Sequence, residues 1–370
     1  MLELFHKFGI KPKLSQEEFK KGRGAQKHVA NRFFEHSHEM RDDFLNHCAA
    51  EGDDPENTKT LYIDTFPKTI VNKVESPDVG MQFSLNPYQG CEHGCIYCYA
   101  RNSHEYWGYD AGLDFESRIL VKRNAVQLLE KKLASRSWRA APIVLSGNTD
   151  CYQPAEKKFE LTRKLLQVFL KYRHPVGIIT KNALILRDLD VLQQLREDNL
   201  VSANISITSL SEDTRRLLEP RTATIKRRLQ AVETLAKAGI AVRVMTAPII
   251  PGINNHEILP LIKAAADHGA SSIGHTVVRL NGAIGNVFED WIRKAMPDRA
   301  DKVLNQIAAC HGGTLNDSRF GTRMRGEGEF ALQIARQVAL GVAKYMGGRK
   351  MPKLNCDLHE QYKTGQMKLF

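Results

Sequence analysis

The 370-residue chain has no apolar run approaching the ~20 residues that a membrane-spanning helix needs. Its opening, MLELFHKFGIKPKLSQEEFKK, lacks an apolar core followed by a small-residue cleavage site, so no secretory signal is expected. Cysteine is sparse: there are seven, and three of them crowd into eight positions. That distribution argues against a disulfide framework and fits a reducing compartment with metal or redox chemistry. A cytoplasmic protein with no membrane partner is the expectation. Outside the crowded three, no second close group of thiols exists to hold an auxiliary cluster. Negative charge is in deficit, 42 Asp+Glu against 53 Lys+Arg, for a net charge of +11. Such a surface favours polyanions or anionic cofactors, although many enzymes are this basic without a nucleic-acid role.

What is present is organised around CEHGCIYC, with thiols at Cys91, Cys95 and Cys98. Iron–sulfur clusters are held by such thiolates, usually four of them. Here the run stops at three. Two readings stay open on the residues alone: a metal site completed by something distant, or a cluster whose fourth position is kept for a ligand.

Around that loop the chain divides into an N-terminal basic extension (residues 1–78), a core (79–285) and a C-terminal helical and loop extension (286–370). In the extension, residues 59–74 alternate apolar and polar and predict a short hairpin or edge strands. His36 and His38, two residues apart, would face different sides of a helix and read as solvated surface. In the core, short apolar runs at 81–86, 142–147, 176–181, 201–207, 241–247 and 272–278 predict six strands. Amphipathic segments at 124–135, 155–172, 186–197, 225–238 and 256–268 predict the helices between them, the fourth stopped by Gly239. Strand–helix alternation means parallel strands with right-handed crossovers. Six strands are too few for a closed eight-stranded barrel and suit an open partial barrel or a doubly wound sheet. In either, ligands collect at the carboxyl ends of the strands, where the triple-cysteine loop also lies. Residues 291–293, 300–310 and 329–345 read as further helices, and the last twenty residues carry no strong pattern.

The CxxxCxxC spacing with an aromatic beside the third cysteine, at the end of the first strand of a βα series, resembles the radical S-adenosylmethionine (SAM) superfamily. NPYQGCEHGCIYCYAR, SGNTDCYQP, TKN, EPRTATIKRRLQAVETLAKAG, APIIPGINN and NDSRFGTRMRGEG are similar to its spore-photoproduct-lyase-like branch, and most of all to a group of uncharacterised bacterial proteins within it. The resemblance covers roughly residues 60–285. It implies an α/β partial (β/α)6 barrel with the N-terminal extension and a C-terminal helical cap. It also implies a [4Fe–4S] cluster on Cys91, Cys95 and Cys98, with SAM on the iron left open. The chemistry implied is reductive cleavage of SAM to a 5′-deoxyadenosyl radical, with a low-potential electron donor of flavodoxin or ferredoxin type as partner.

Carried over residue by residue, Tyr97 stands where the family places an aromatic near the adenine. Ser146, Gly147 and Asn148 end the second strand at the SAM amino group, without the usual Gly-Gly-Glu. Lys181 ends the third strand and would meet the SAM carboxylate, Ser206 and Thr208 lie on the fourth, and Ile250 and Gly252 fit the adenine-contacting turn of the fifth. Cys151 is the candidate for returning a hydrogen atom to a product radical; packing as a small buried hydrophobe is the plainer account. Cys48, Cys310 and Cys356 share no pattern and receive no role.

The expected activity is that of a lyase-like radical SAM enzyme on an unidentified substrate. Nucleic acid is admitted by the net charge and by Arg319, Arg323 and Arg325 in a glycine-rich loop, which could follow phosphates or simply cap the barrel. The alternative from another class is a zinc-stabilised nucleic-acid-binding protein without catalysis. Against it stand the missing fourth ligand and a series of βα units that builds a pocket.

Overall fold

A computed structural model describes residues 19–33 and 59–364. His36, His38 and Cys48 lie outside the described residues. Ten strands occur among them: β1 (Leu61–Thr65), β2 (Val71–Lys73), β3 (Phe83–Leu85), β4 (Tyr88–Gln89), β5 (Arg118–Lys122), β6 (Ile143–Leu145), β7 (Val176–Thr180), β8 (Val201–Ser206), β9 (Ala241–Ile249) and β10 (Ser272–Val277). Seven form the main sheet in the order β10-β9-β8-β7-β6-β3-β2. The pairs from β3 through β10 are all parallel, and β2 closes the far edge antiparallel to β3.

The six parallel strands thus follow one another in space as they do in sequence. A doubly wound sheet reverses direction at a switch point; this one never does, so it is a partial barrel and remains open. With every crossover right-handed, sequential order places all the intervening helices on one face. The burial alternation agrees. On β8, Val201, Ala203 and Ile205 are buried in the main core, while Ser202 and Asn204 are half-buried on the opposite face. Val242 and Val244 of β9 alternate in the same way with Arg243 and Met245.

The helices form where periodicity and caps agree. Ile225–Lys237 starts at Thr224, whose hydroxyl accepts from the Arg227 amide, and stops before Gly239 at φ 76°. Its apolar face, Ile225, Ala231, Val232 and Leu235, is buried against the sheet. The predicted 155–172 helix divides into Glu156–Phe159 and Leu161–Lys171, with Glu160 in the left-handed region between them. C-terminal helices Ile284–Ala295, Ala300–Ala309 and Gly328–Tyr345 complete the predicted cap region. The tail adds Asp357–Thr364, which has no strong sequence signature.

The 59–74 segment makes edge strands and no hairpin. β1 runs parallel to β5 in a separate three-stranded sheet, β1-β5-β4, while β2 joins the main sheet. That small sheet supports the start of the cysteine loop, which follows β4 directly.

The open side of the barrel lies between edge strands β2 and β10. Residues 315–327 bridge it. On one side Val277 N–H donates to Met324 O (3.0 Å) and Leu280 N–H to Leu315 O (2.8 Å). On the other, Gly321 N–H donates to Asp78 Oδ1 (2.7 Å), and Arg323 donates to Asp78 Oδ2 and Ser76 Oγ (both 2.5 Å). This strap uses up two of the three arginines that could have followed phosphates. Arg323 is held by Asp78, and Arg319 by Asp317 and Glu327 at 2.9 and 2.7 Å. Only Arg325 is left exposed with no ion pair among the described residues. No helix among the described residues is long and apolar enough to cross a membrane.

Candidate active site

Parallel strands deliver their carboxyl ends to one side of the sheet, and the chemically equipped residues gather there. Cys91 and Cys95 are buried and Cys98 half-buried, all as free thiols in the loop after β4. The loop is fixed through its backbone: Cys91 N–H donates to Phe115 O (2.8 Å) and Ile96 N–H to Leu218 O (3.0 Å). Burial pushes the thiols of Cys95 and Cys98 above their ordinary range.

The donor set bears on the kind of metal. A structural zinc site is closed by four protein ligands, whereas this loop brings three thiols and no fourth cysteine. Iron–sulfur clusters are held by cysteine thiolates, and three of them leave one position for a further ligand. The residues fit a [4Fe–4S] group.

Lys181, just past β7, is half-buried, with its ammonium 5.9 Å from the Tyr97 ring centroid. Its ammonium makes no hydrogen bond or ion pair with a described residue, while its backbone is held on both sides. Burial disfavours its charge, but Cys95, Glu219 and Cys98 nearby raise its pKa overall.

Tyr97 is buried, and its hydroxyl donates to Glu219 Oε1. The same oxygen accepts from Thr208 Oγ1 (2.8 Å), and Arg228 Nη2 pairs with Oε2 at 2.6 Å. Glu219 and Arg228 are fully enclosed, at 0% and 1% side-chain exposure. Burial works against the carboxylate, yet Arg228, Lys181 and the two hydroxyls hold it down at about 2. Thr208 and Tyr97 are thus committed to Glu219 through their hydroxyls.

Asp150 performs the same office between β6 and β7. It accepts from Thr180 Oγ1, Tyr152 N–H and Lys181 N–H at 2.7 to 2.8 Å, with His93 Nδ1 at 3.3 Å. Burial opposes its charge, but His93 and these donors keep it at about 2. It fixes the backbone from which Lys181 projects.

The remaining predicted residues separate. Ser146 has φ 99°, unusual for a side chain at a strand end. Its hydroxyl donates to Ile179 O (2.7 Å) and accepts from Cys151 N–H (3.1 Å), so it is turned into the scaffold. Gly147 O receives the hydroxyl of Tyr99, a half-exposed aromatic, and Asn148 N–H donates to Asn86 Oδ1 (3.0 Å). Ser206 is buried at the end of β8, its carbonyl accepting from Arg228. Ile250 packs with Cys95, Ile96 and Tyr97 in one buried cluster. Gly252 faces elsewhere: a Cβ there would meet Gln306 and Val303 of helix Ala300–Ala309. Cys151 is fully buried in the main core, its Sγ 3.9 Å from Ile179 O, and burial pushes its thiol well up.

Sequence reasoning passed over Asp150, Glu219 and Arg228. The residues stand inside stretches that resemble the family, SGNTDCYQP and EPRTATIKRR, but charge alone does not disclose which acids end up enclosed with partners.

Comparison with known proteins bears on the family and the fold. The profile of the radical SAM superfamily matches residues 85–265. An uncharacterised protein of Mycobacterium tuberculosis is 31% identical over 237 residues, 62% of this chain and 69% of that one. An uncharacterised protein of Methanocaldococcus jannaschii is 30% identical over 203 residues, 55% of this chain and 73% of that one. Spore photoproduct lyase complexed with dinucleoside spore photoproduct superposes with a TM-score of 0.56 at 17% identity, covering 79% of this chain and 82% of that one, a likeness of fold. With a relative this similar over so much of its length, and with the family profile on the strands that carry the site, the chain belongs to the radical SAM superfamily.

Proposed function

We propose that this protein uses Cys91, Cys95 and Cys98 to hold a [4Fe–4S] cluster, binds SAM beside it, and abstracts hydrogen from a substrate at the mouth of the partial barrel. When bound, the cluster and SAM together supply an electron and a 5′-deoxyadenosyl radical. The observation that carries the reading is the loop of three thiols with no fourth cysteine in it, beside a lysine whose ammonium pairs with no acid among the described residues.

The chain's residues then bind, orient and exclude water. Lys181 meets an anionic group of SAM, its carboxylate by the reading above. Asp150 positions the Lys181 backbone, while Glu219 positions Tyr97 and Thr208, so these act through other groups. Gly147 and Asn148 offer backbone contacts after β6, Ser206 a hydroxyl after β8, and Ile250 an apolar wall. For Cys151 the buried surroundings support packing over hydrogen return, and Gly252 acts as a packing position against the C-terminal helices.

Nucleic acid is the substrate class we favour. It is supported by the net charge of +11, by Arg279 near the exposed aromatic Tyr99, and by the exposed Arg325 of the strap. The reductant is read as a low-potential flavodoxin or ferredoxin type, in the cytoplasm.

Anaerobic purification tests the core of this reading. Brown protein with about four irons is expected, lost in Cys95→Ala, together with dithionite-driven release of 5′-deoxyadenosine. Colourless protein with one zinc and no iron would overturn it. For the substrate, deuterium from a labelled oligonucleotide should appear in 5′-deoxyadenosine; transfer only from other candidates would remove nucleic acid.

A further inference from the structure

The segment Gly22 to Ala25 belongs by position to the N-terminal extension, yet it lies against the cysteine loop, far from it in sequence. Gly24 N–H and Ala25 N–H donate to the two carboxylate oxygens of Glu116, at 3.1 and 2.8 Å. Arg23 Nη1 donates to Glu116 O (2.8 Å). Arg221 Nε donates to Gly22 O (3.0 Å) while its own N–H donates to His93 O (3.2 Å), so one residue ties the segment to the loop interior. Gln26 folds back on Lys20, Arg23 and Gly24 and makes the segment a self-supporting turn.

Glu116 is the hub. Arg101, equally enclosed at 0% exposure, pairs with it at 2.5 Å and donates from Nε to Cys95 O (3.1 Å). Its remaining nitrogen holds Ala111 O and Gly112 O. A buried Arg–Glu pair contributes little net stability, because desolvation offsets the attraction. Beyond the contact they make with each other, the two side chains hold backbone: that of the segment on one side, that of Cys95 on the other.

The contact between the two is backbone on backbone. A Cβ placed on Gly24 would lie 1.8 Å from Gly94 O, between Cys91 and Cys95. A Cβ on Gly94 would lie 2.8 Å from Glu116 Oε2 and 3.3 Å from Gly24 N. A Cβ at Gly24 would fall on main chain and one at Gly94 on the Glu116 carboxylate, so neither position takes a side chain without disturbing the contact.

We infer that Gly22–Ala25, anchored by Glu116, Arg101 and Arg221, is a seal over the cysteine loop: a positioning element that fixes the thiols and keeps water from the iron–sulfur group. The inference rests on the cluster reading proposed above. Its two consequences are slow loss of iron and a low reduction potential, since solvent access and hydrogen bonding tune both.

The test uses the full chain with Gly24→Ala, with Gly80→Ala as control, because a Cβ on Gly80 meets nothing within 4 Å. Urea unfolding of the apo form reports the fold. After anaerobic reconstitution, bleaching of the cluster band by a chelator and a dye-mediated midpoint potential report the seal. Bleaching about 10-fold or more faster than wild type is expected, the scale of losses from outer-shell partners, with the potential shifted upward. Arg221→Gln, an exposed change, should move both in the same direction by less, and serves if Gly24→Ala does not fold. Wild-type bleaching and potential in a folded, loaded variant would overturn the seal while leaving the cluster. A wild-type chain that takes up no iron–sulfur chromophore would overturn the cluster reading, and the seal with it.

Discussion

Replacing Glu219 by Gln keeps its shape and removes its charge, in a site where both partners are enclosed. Glu219 pairs with Arg228 at 2.6 Å and accepts from Tyr97 and Thr208. Its carboxyl is held at about 2 against an ordinary 4.5. At 1.36 kcal/mol per pH unit, that difference corresponds to about 3 kcal/mol of folding stability. Breaking a buried pair by removing one partner costs about 3–5 kcal/mol by a separate route, since the guanidinium is left uncompensated. The two agree in size. The sign follows from the depressed value: the stabilisation is fully present above about 4.5 and is lost as pH falls toward about 2. Urea unfolding of apo wild type and Glu219→Gln at pH 7, 5, 4 and 3 should therefore show a gap of about 3 kcal/mol at neutral pH that narrows below pH 4. A gap of the same size at pH 3, or one under about 0.5 kcal/mol at pH 7, would refute the reasoning.

Lys181→Met should weaken SAM binding about 10- to 100-fold, the worth of a charged hydrogen bond, with iron content unchanged; unchanged affinity in a loaded variant counts against the role. Asp78→Asn should release the strap and speed proteolytic cleavage within residues 315–327, while the rest of the chain resists as before; equal cleavage rates would mean the strap is held by its β10 contacts alone. The thiols of Cys95 and Cys98, raised by burial, must lose protons to take iron, so cluster loading at limiting iron should improve from pH 7 toward pH 8.5; a flat profile would deny that cost.

The barrel was legible because parallel strands buried on one face announce themselves as short apolar runs, and because Gly239 marks a helix stop. Alternation plus handedness left two strand orders open, a partial barrel and a doubly wound sheet, and the family resemblance chose the first. The cysteine loop was legible from spacing alone. Three things were not. The β1-β5-β4 sheet was not foreseen: alternation over 59–74 marked β1, but its partners β5 and the two-residue β4 lie outside the regular strand–helix series. The enclosure of Glu219 and Asp150 depends on partners distant in sequence, such as Tyr97, 122 residues from Glu219, and Lys181, 31 residues from Asp150, and acids read as solvated until those partners are placed. Arg319, Arg323 and Arg325 look alike in the sequence. Only the positions of Asp78, Asp317 and Glu327 divide them into two structural clasps and one exposed cation.

The anchoring of the cysteine loop also bears on when it can be finished during synthesis. All three thiols have left the ribosome once residue 98 has, but Leu218 and Arg221, which fix the loop's backbone, emerge more than a hundred residues later. Arg221 must then reach back 199 positions to Gly22. Contacts of such span form late, after the intervening chain has been ordered. A nascent chain arrested near residue 200 would present three thiols on an unwalled loop, open to any metal in the cell. Iron insertion is therefore best placed after the chain passes Arg228, when the walls that fit a cluster have closed around it.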